Sequence, residues 1–266
     1  MGKVVEPKVF LIGESAVNRE GLSALLQHYG VPGWQTDASS DAEALTEVYG
    51  RACYRSFVDT EHPAGVLNPN LTRVRSSSLD YLSNVIAKGD GSVLEHAVSH
   101  WFFADVSRVV THELVRHRVG VAISQESLRF VRLTDLDWYA PVAIRENQEA
   151  MEIFVRTFED LSKLQVTMAE LLELDSLPFE KKKELTSAMR RVAPLGLATN
   201  IGWSSNIRNL RHVIEMRTAP EAEEEIRVLF GRVAEVAMAR WRNLFADYRV
   251  EMVGGLPWYR TEHRKV

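Results

Sequence analysis

Cysteine is almost missing from this chain: 266 residues carry one, Cys53. A single thiol cannot build an intramolecular disulfide framework or a multi-cysteine zinc site. Long apolar runs are missing too. Nowhere do about 18 uncharged apolar residues follow one another, so no transmembrane helix is expected. The opening segment, MGKVVEPKVFLIGES, lacks the apolar stretch of a secretory signal, and Glu6 stands where a myristoylation motif needs Ser or Thr. A cytoplasmic location is the resulting expectation. There is no basic surplus, since 32 Lys and Arg face 36 Asp and Glu for a formal net charge of −4. A general grip on nucleic acid needs a net basic face and is not indicated. Neither GxGxxG nor a P-loop pattern occurs, so any bound dinucleotide must be held by side chains. Internal repeats, low-complexity tracts and an evident linker are absent as well.

What is present suits a folded protein. Hydrophobic residues make up 45% of the chain, and its length permits one large domain or two small ones. PKVFLIG reads as a short first strand, and residues 14–40 are mixed. DAEALTEVYGRACY reads as a helix capped by Ser39 or Ser40, and a second helix begins near Ser77. The segment SFVDTEHPAGVLNPN has loop composition. HAVSHWFFADV alternates like a strand, and SRVVTHELVRHR places Val106, Val109, Val110 and Leu114 on one helical side. VGVAISQ then leads out as a loop. Over 146–174, Phe154, Phe158, Leu161, Leu164, Met168 and Leu171 recur at spacings of three and four, which predicts a long amphipathic helix. Another helix follows Pro178. LATNIGWSSN is a strand candidate and IRNLRHVIEMR a helix. TAPEAEEEIRVLF opens a further helix, with Thr218 and Glu221 as a capping box. The pattern predicts an α/β (α+β) fold over residues 1–266, one domain with a mixed or antiparallel sheet flanked by helices.

The chemistry concentrates in THELVRHRVGVAISQESLRF. Arg116, His117 and Arg118 fall at a helix C-terminus, where cations favour the dipole. That accounts for one or two of them. It does not account for Ser124, Ser127 and Arg129 just beyond, a set with the hydroxyl and guanidinium donors of an anion site. Histidine is clustered too: His96, His100, His112 and His117 lie within 22 residues. HELVRH resembles a zinc-protease motif, but its two His are five apart, about 140° around a helix, and diverge. A metal held by His96 and His100 on one strand face is the weaker remaining option. In NIRNLRHVIEMR, Arg208 and His212 share a face, while Arg217 falls on the apolar side with Leu210 and Val213. Such an Arg is either half of a buried ion pair or reaches a ligand. Arg190 and Arg191, before Pro194, read by themselves as a solvated helix end.

Taken in order, GRACYRSF, GSVLEH, THELVRHR, SQESLRF, VAP and NIRNLRHVIEMRTAPEAEEEIR make the chain resemble the flavin-dependent thymidylate synthases, from about Val9 to Val250. The resemblance implies transfer of a methylene from methylene-tetrahydrofolate to C5 of dUMP, with FAD as hydride carrier and NADPH as reductant, in a homotetramer with active sites between subunits. It implies flavin-binding roles for Ser92, Glu95, Arg116, His117, Arg118, Val119, Gln125, Asn206, Arg208 and His212. Nucleotide-binding roles fall to Glu113, Arg116, Gln125, Glu126, Ser127, Leu128, Arg129, Arg190 and Arg217. Arg217, Ser127 and Arg116 are the candidates for catalysis. Arg217 would stabilise negative charge on the uracil, and Arg190, Arg129 and Ser127 would hold its phosphate. The flavin does the redox work, so Cys53 is expected to pack rather than react. Two features depart from the family. Eight residues, Val119 to Glu126, separate Arg118 from Ser127 where seven are usual, and Gly120 is placed to absorb the extra one as a bulge. Asp90 stands where His is common. A methylase of UMP or another pyrimidine nucleotide, and a silent nucleotide- or flavin-binding homologue, are the alternatives the sequence leaves open.

Overall fold

The computed structural model describes residues 2–57, 68–71, 73–130, 133 and 136–266. Most of the loop expected between Ser56 and Asn70 therefore lies outside the described residues. A four-stranded antiparallel sheet forms the centre. Its strands are β1 (Lys8–Glu14), β2 (Val98–Ser107), β3 (Val121–Gln125) and β4 (Ala198–Asn206), in the spatial order β1-β2-β4-β3. Side chains alternate across it as a strand requires. Trp101 pairs directly with Trp203, and both are buried with Phe103 and Ile201 on the inner face. The opposite face carries Phe10, His100 and Phe102.

Helices cover the inner face. They are α1 (Arg19–His28), α2 (Asp41–Tyr54), α3 (Ser78–Lys88), α4 (Arg108–Leu114), α5 (Val142–Arg145), α6 (Gln148–Leu171), α7 (Phe179–Met189), α8 (Ile207–Thr218) and α9 (Glu224–Arg240). Phe230 of α9 packs edge-on against Phe103 and Trp203, which ties α9 to the sheet. A C-terminal hairpin, β5 (Arg249–Val253) and β6 (Leu256–Arg260), lies beyond α9. The expected caps hold for two helices. Ser40 accepts from Glu43 N and starts α2, and Ser77 accepts from Asp80 N and starts α3.

Four local expectations are corrected. Residues 19–28 within the mixed N-terminal stretch are helical, capped by Asn18. VGVAISQ is not a loop: its last five residues are β3, because Val121–Gln125 pair residue by residue with β4. Val106 belongs to β2, and α4 begins only after the Ser107 cap. The Thr218 capping box does not form. Thr218 is the last residue of α8 and donates to Ile214 O, while Glu223 accepts from Glu225 N and Ile226 N to open α9. The long amphipathic helix is present as α6, but only part of its stripe is covered. Phe158 stacks on Trp138, whereas Leu171 is 78% exposed.

Two strand-to-helix junctions position everything that follows. β2 runs into α4 through Ser107, whose hydroxyl accepts from Val110 N. β4 runs into α8 through Asn206, whose side chain accepts from Asn209 N at 2.8 Å. As β2 and β4 are antiparallel neighbours, the two helices leave the sheet from opposite ends of this strand pair and run back so that their C-terminal ends meet at Glu113 and Arg217. Buried cations elsewhere in the fold are internally paired. Arg51 bonds Glu47 at 2.7 Å between the rings of Trp34 and Tyr81, and Arg211, fully buried, makes a two-pronged contact with Asp247.

Candidate active site

α4 ends at Leu114, so Arg116, His117 and Arg118 occupy the turn after it rather than its last turn. The turn separates their roles. Arg116 and Arg118 face solvent, and His117 turns inward. Gly120 completes the turn at φ +67 with Asn206 Nδ2 against its Cα; a Cβ there would sit 2.2 Å from that nitrogen. Any other residue would strain the backbone and displace Asn206. The β3–β4 ladder that follows has no break in register. The ladder therefore contains no bulge.

Arg217 reaches back from the end of α8 into this turn. Its Nε donates to His117 Nε2 at 2.8 Å, Nη1 to the Glu113 carboxylate at 2.7 Å, and Nη2 to the Glu113 carbonyl at 3.1 Å. An imidazole nitrogen that accepts from a guanidinium carries no proton, which makes His117 neutral. Burial lowers its pKa most, followed by the charges of Arg217 and His212, to about 4. The middle member of the Arg-His-Arg triplet is thus an acceptor, not a third cation. Both readings of Arg217 meet here: it has an acidic partner, and it borders an open hollow with His212, Trp258 and Arg264.

On the other side of α4 lies the segment after β3. Gln125 donates to Thr111 Oγ1 at 3.1 Å, and Glu126 accepts from Asn200 Nδ2 at 2.6 Å. Ser127 Oγ accepts from Arg129 N at 3.3 Å, the mark of a tight polar turn. Leu128 anchors that turn from below. Leu128 is buried with Trp138, Phe158 and Leu197. Thr186 of α7 donates to Arg129 O at 2.7 Å and brings the start of Arg190's turn alongside.

A residue that sequence reasoning passed over sits between these groups. Arg108, the first residue of α4, donates from Nη2 to the Glu126 carbonyl at 3.2 Å. Its Nε is buried with no hydrogen-bond partner. Burial lowers its pKa, and the nearby Arg190 charge lowers it further, only partly offset by Glu126. Among the described residues, Arg116, Arg118, Arg129 and Arg190 have no side-chain ion pair. The one available signal was a charge placed inside an apolar run, VSRVV.

A second hollow adjoins the first. It holds Glu95, Val119, Asn206, Arg208 and His212 together, five of the ten positions expected at a flavin. Ser92, Arg116, Arg118 and Gln125 do not line it, and His117 lies behind His212 with ring centroids 6.2 Å apart. Arg208 bonds Glu95 at 2.6 Å. It is seated there by Gly91, where a Cβ would stand 2.7 Å from its Nε. Asp90 accepts from Tyr54 at 2.8 Å, so the carboxylate in the usual His position is engaged by a phenol. The two hollows, about 600 and 470 Å³, share His212 and Arg264. Guanidinium, imidazole and amide donors along both suit a phosphorylated flavin next to a phosphorylated base.

The remaining candidates resolve simply. His96 lies in a short helical turn, stacked on Tyr49 at 3.8 Å, and is not on the strand with His100, which bonds Ser204. Cys53 is exposed rather than packed. Among the described residues no group of three or more His, Cys, Asp and Glu is arranged to hold a metal, and no helix is long and apolar enough to cross a membrane.

Residues 36–241 match the family model described as thymidylate synthase complementing protein. The flavin-dependent thymidylate synthase of Corynebacterium efficiens is 33% identical over 222 residues, covering 82% of this chain and 84% of its own. That of Mycobacteroides abscessus is 37% identical over 226 residues, covering 82% and 83%. A crystal structure of the UMP/dUMP methylase PolB from Streptomyces cacaoi, bound with 5-Br UMP, superposes with a TM-score of 0.60 at 13% identity, covering 91% of this chain and 94% of PolB. At that identity the likeness is one of fold.

Proposed function

The chain belongs to the flavin-dependent thymidylate synthase family, and on that premise we propose that it methylates C5 of dUMP, with methylene-tetrahydrofolate as carbon donor, FAD as the flavin and NADPH as reductant. A bound, reduced flavin supplies the hydride that takes the transferred one-carbon unit to a methyl group while the C5 proton is lost. The protein's own part is to place the nucleotide and bias its charge. Arg108, Arg129 and Arg190, with the Ser127 turn, hold the phosphate dianion. The observation that carries this assignment is the buried, unpartnered Nε of Arg108 beside an unpaired Arg190. Two neighbouring cations whose repulsion Glu126 offsets only in part are stabilised by an anion between them.

Arg217 faces the base from the other end of α4. Its guanidinium is aligned by Glu113 and by neutral His117, so it is oriented before the substrate arrives. It donates to a uracil carbonyl and stabilises negative charge there as C5 becomes nucleophilic. Among the described residues Ser127 has no base hydrogen-bonded to its hydroxyl, and it serves as a donor rather than a nucleophile. Arg208, His212, Asn206 and Glu95 hold the flavin, with Arg116 and Arg118 supplying charge from the turn. Both hollows are open on one side, which accords with a homotetramer in which neighbouring copies complete them.

The test is an anaerobic turnover assay with methylene-tetrahydrofolate and NADPH, in which dUMP and UMP compete and product masses are followed. The expected product is deoxythymidylate. Preferential methylation of UMP would reassign the acceptor. Ligand binding with no methylated product from either nucleotide would make the protein a silent homologue.

A further inference from the structure

The C-terminal segment walls both hollows, although the family match ends at residue 241. It is fastened firmly. Val266 is buried in the main core, its carbonyl accepts from Arg211 Nε at 3.1 Å, and the Lys265 carbonyl accepts from Arg208 Nη2 at 3.1 Å. Thr261 bonds Asp247, the buried partner of Arg211. These anchors use the backbone and the final side chain. They leave the Arg264 and Lys265 side chains exposed and aimed at the hollows.

Arg264 borders both hollows and is held toward them by Glu215 at 2.9 Å. Lys265 borders only the Arg208 hollow, and among the described residues its ammonium has no partner. The Arg208 hollow is thereby lined by three cations, of which Arg208 is paired with Glu95 and Arg264 with Glu215, while Lys265 has no ion pair among the described residues. The tail thus brings to that hollow an unpaired ammonium, Lys265, and a guanidinium, Arg264, whose other N–H groups remain to donate, and both lie outside the matched family segment.

We propose that Arg264 and Lys265 form a phosphate-binding wall for the flavin nucleotide, contacting its pyrophosphate and leaving the ring system to α8. This rests on the flavin reading of the hollow given above. A wall of this kind distinguishes flavins by their phosphates: it strengthens binding of FAD and is indifferent to riboflavin, which has none.

The experiment titrates full-length wild type and the double variant Arg264→Gln/Lys265→Gln with FAD and with riboflavin, following flavin fluorescence. The expected result is a Kd for FAD raised at least tenfold, with a shallower salt dependence and riboflavin binding unchanged. The charge-preserving variant Arg264→Lys/Lys265→Arg should recover most of the FAD affinity. Equal FAD affinity in wild type and the Gln variant overturns the proposal, and so does parallel loss of FAD and riboflavin, which would mark a purely structural tail. In both cases the flavin assignment survives, because wild type still binds FAD. A wild type that binds neither flavin overturns the proposal together with the flavin assignment.

Discussion

Helix α4 meets a guanidinium at each end, and the two ends treat theirs differently. At its C-terminal end Arg217 is complete: a carboxylate, a carbonyl and an imidazole take its protons. At its N-terminal end Arg108 is not, with one carbonyl contact, one buried free N–H and another Arg for a neighbour. The first arrangement is what a fixed tool needs, since an aligned donor costs no reorganisation when charge develops in front of it. The second is what a receptor for an anion needs, since cations that Glu126 compensates only in part leave donors for a ligand. The same contrast separates Arg211 from Arg190. One is sealed against Asp247 and serves the fold, and the other lies at a helix end with no ion pair among the described residues.

The sharpest way to break the comparison is to remove the unsatisfied pair. Arg108→Gln/Arg190→Gln should raise KM for dUMP by roughly 100-fold or more, from the loss of charge-assisted bonds worth about 1.5–3 kcal/mol each. The kcat should change far less, because these groups bind a phosphate remote from C5. Thermal stability should hold or rise, as two repelling cations are gone. Steady-state kinetics with dUMP varied, beside a melting curve, check this. A KM left unchanged, or a stability loss of several kcal/mol, would place Arg108 in the fold and not in the site.

The satisfied end predicts a pH effect of the opposite kind, on stability. His117 is held neutral, with its pKa lowered from 6.5 to about 4. In the unfolded chain it takes up a proton near pH 6.5, and in the folded one it resists doing so. The stabilisation is therefore present above pH 6.5 and is lost progressively as pH falls to about 4, by linkage on the order of 2–3 kcal/mol. Glu225 acts in reverse. Burial raises its pKa to about 7 while it accepts from Ser107 N, so its contribution is full below pH 4.5 and fades as pH rises through 7. Denaturant titrations between pH 4 and 8 should show the two slopes opposing. In His117→Gln, which keeps an acceptor for Arg217, the acid-side loss should shrink. Equal acid sensitivity in that variant and wild type would refute the neutral-acceptor role.

Particular residues show how much of this the sequence made legible. The sheet and the helices were readable because burial imposes a period, as in Trp101 and Phe103 on β2 or Ile201 and Trp203 on β4. β3 was missed because VAISQ lies at the sheet's edge, with its middle residues exposed and so no alternation to read. Arg217 was recognisable as exceptional, since a charge on an apolar helix face needs a partner. The partner, Glu113, was proposed only as a substrate contact because it lies 104 residues away. Arg108 had only the weak signal of a charge inside VSRVV, and the tail cations had no sequence pattern to reveal them. Their place follows from which strands pair and from how Arg208 and Arg211 catch the C-terminal carbonyls.

The smallest expected effect concerns the lone thiol, and it bears on the chemistry as a whole. Cys53 was expected to pack, yet it is exposed on α2. An exposed thiol is a more credible nucleophile than a packed one, so the structure makes the question harder rather than easier. The placement around it still argues against a covalent role. Among the described residues no imidazole or cation is hydrogen-bonded to its sulfur, and the neighbouring Tyr54 is turned to Asp90. Neither hollow counts Cys53 in its wall. In the proposed reaction, with the hydride supplied by the flavin and the charge on the base borne by Arg217, no step requires a sulfur to attack C6. Cys53→Ser should leave kcat and KM within about twofold of wild type and shift stability by less than about 0.5 kcal/mol. Turnover lost in that variant while its flavin absorbance stays intact would mean that the methyl group is built through a protein thiol after all, and that the aligned Arg217 only assists.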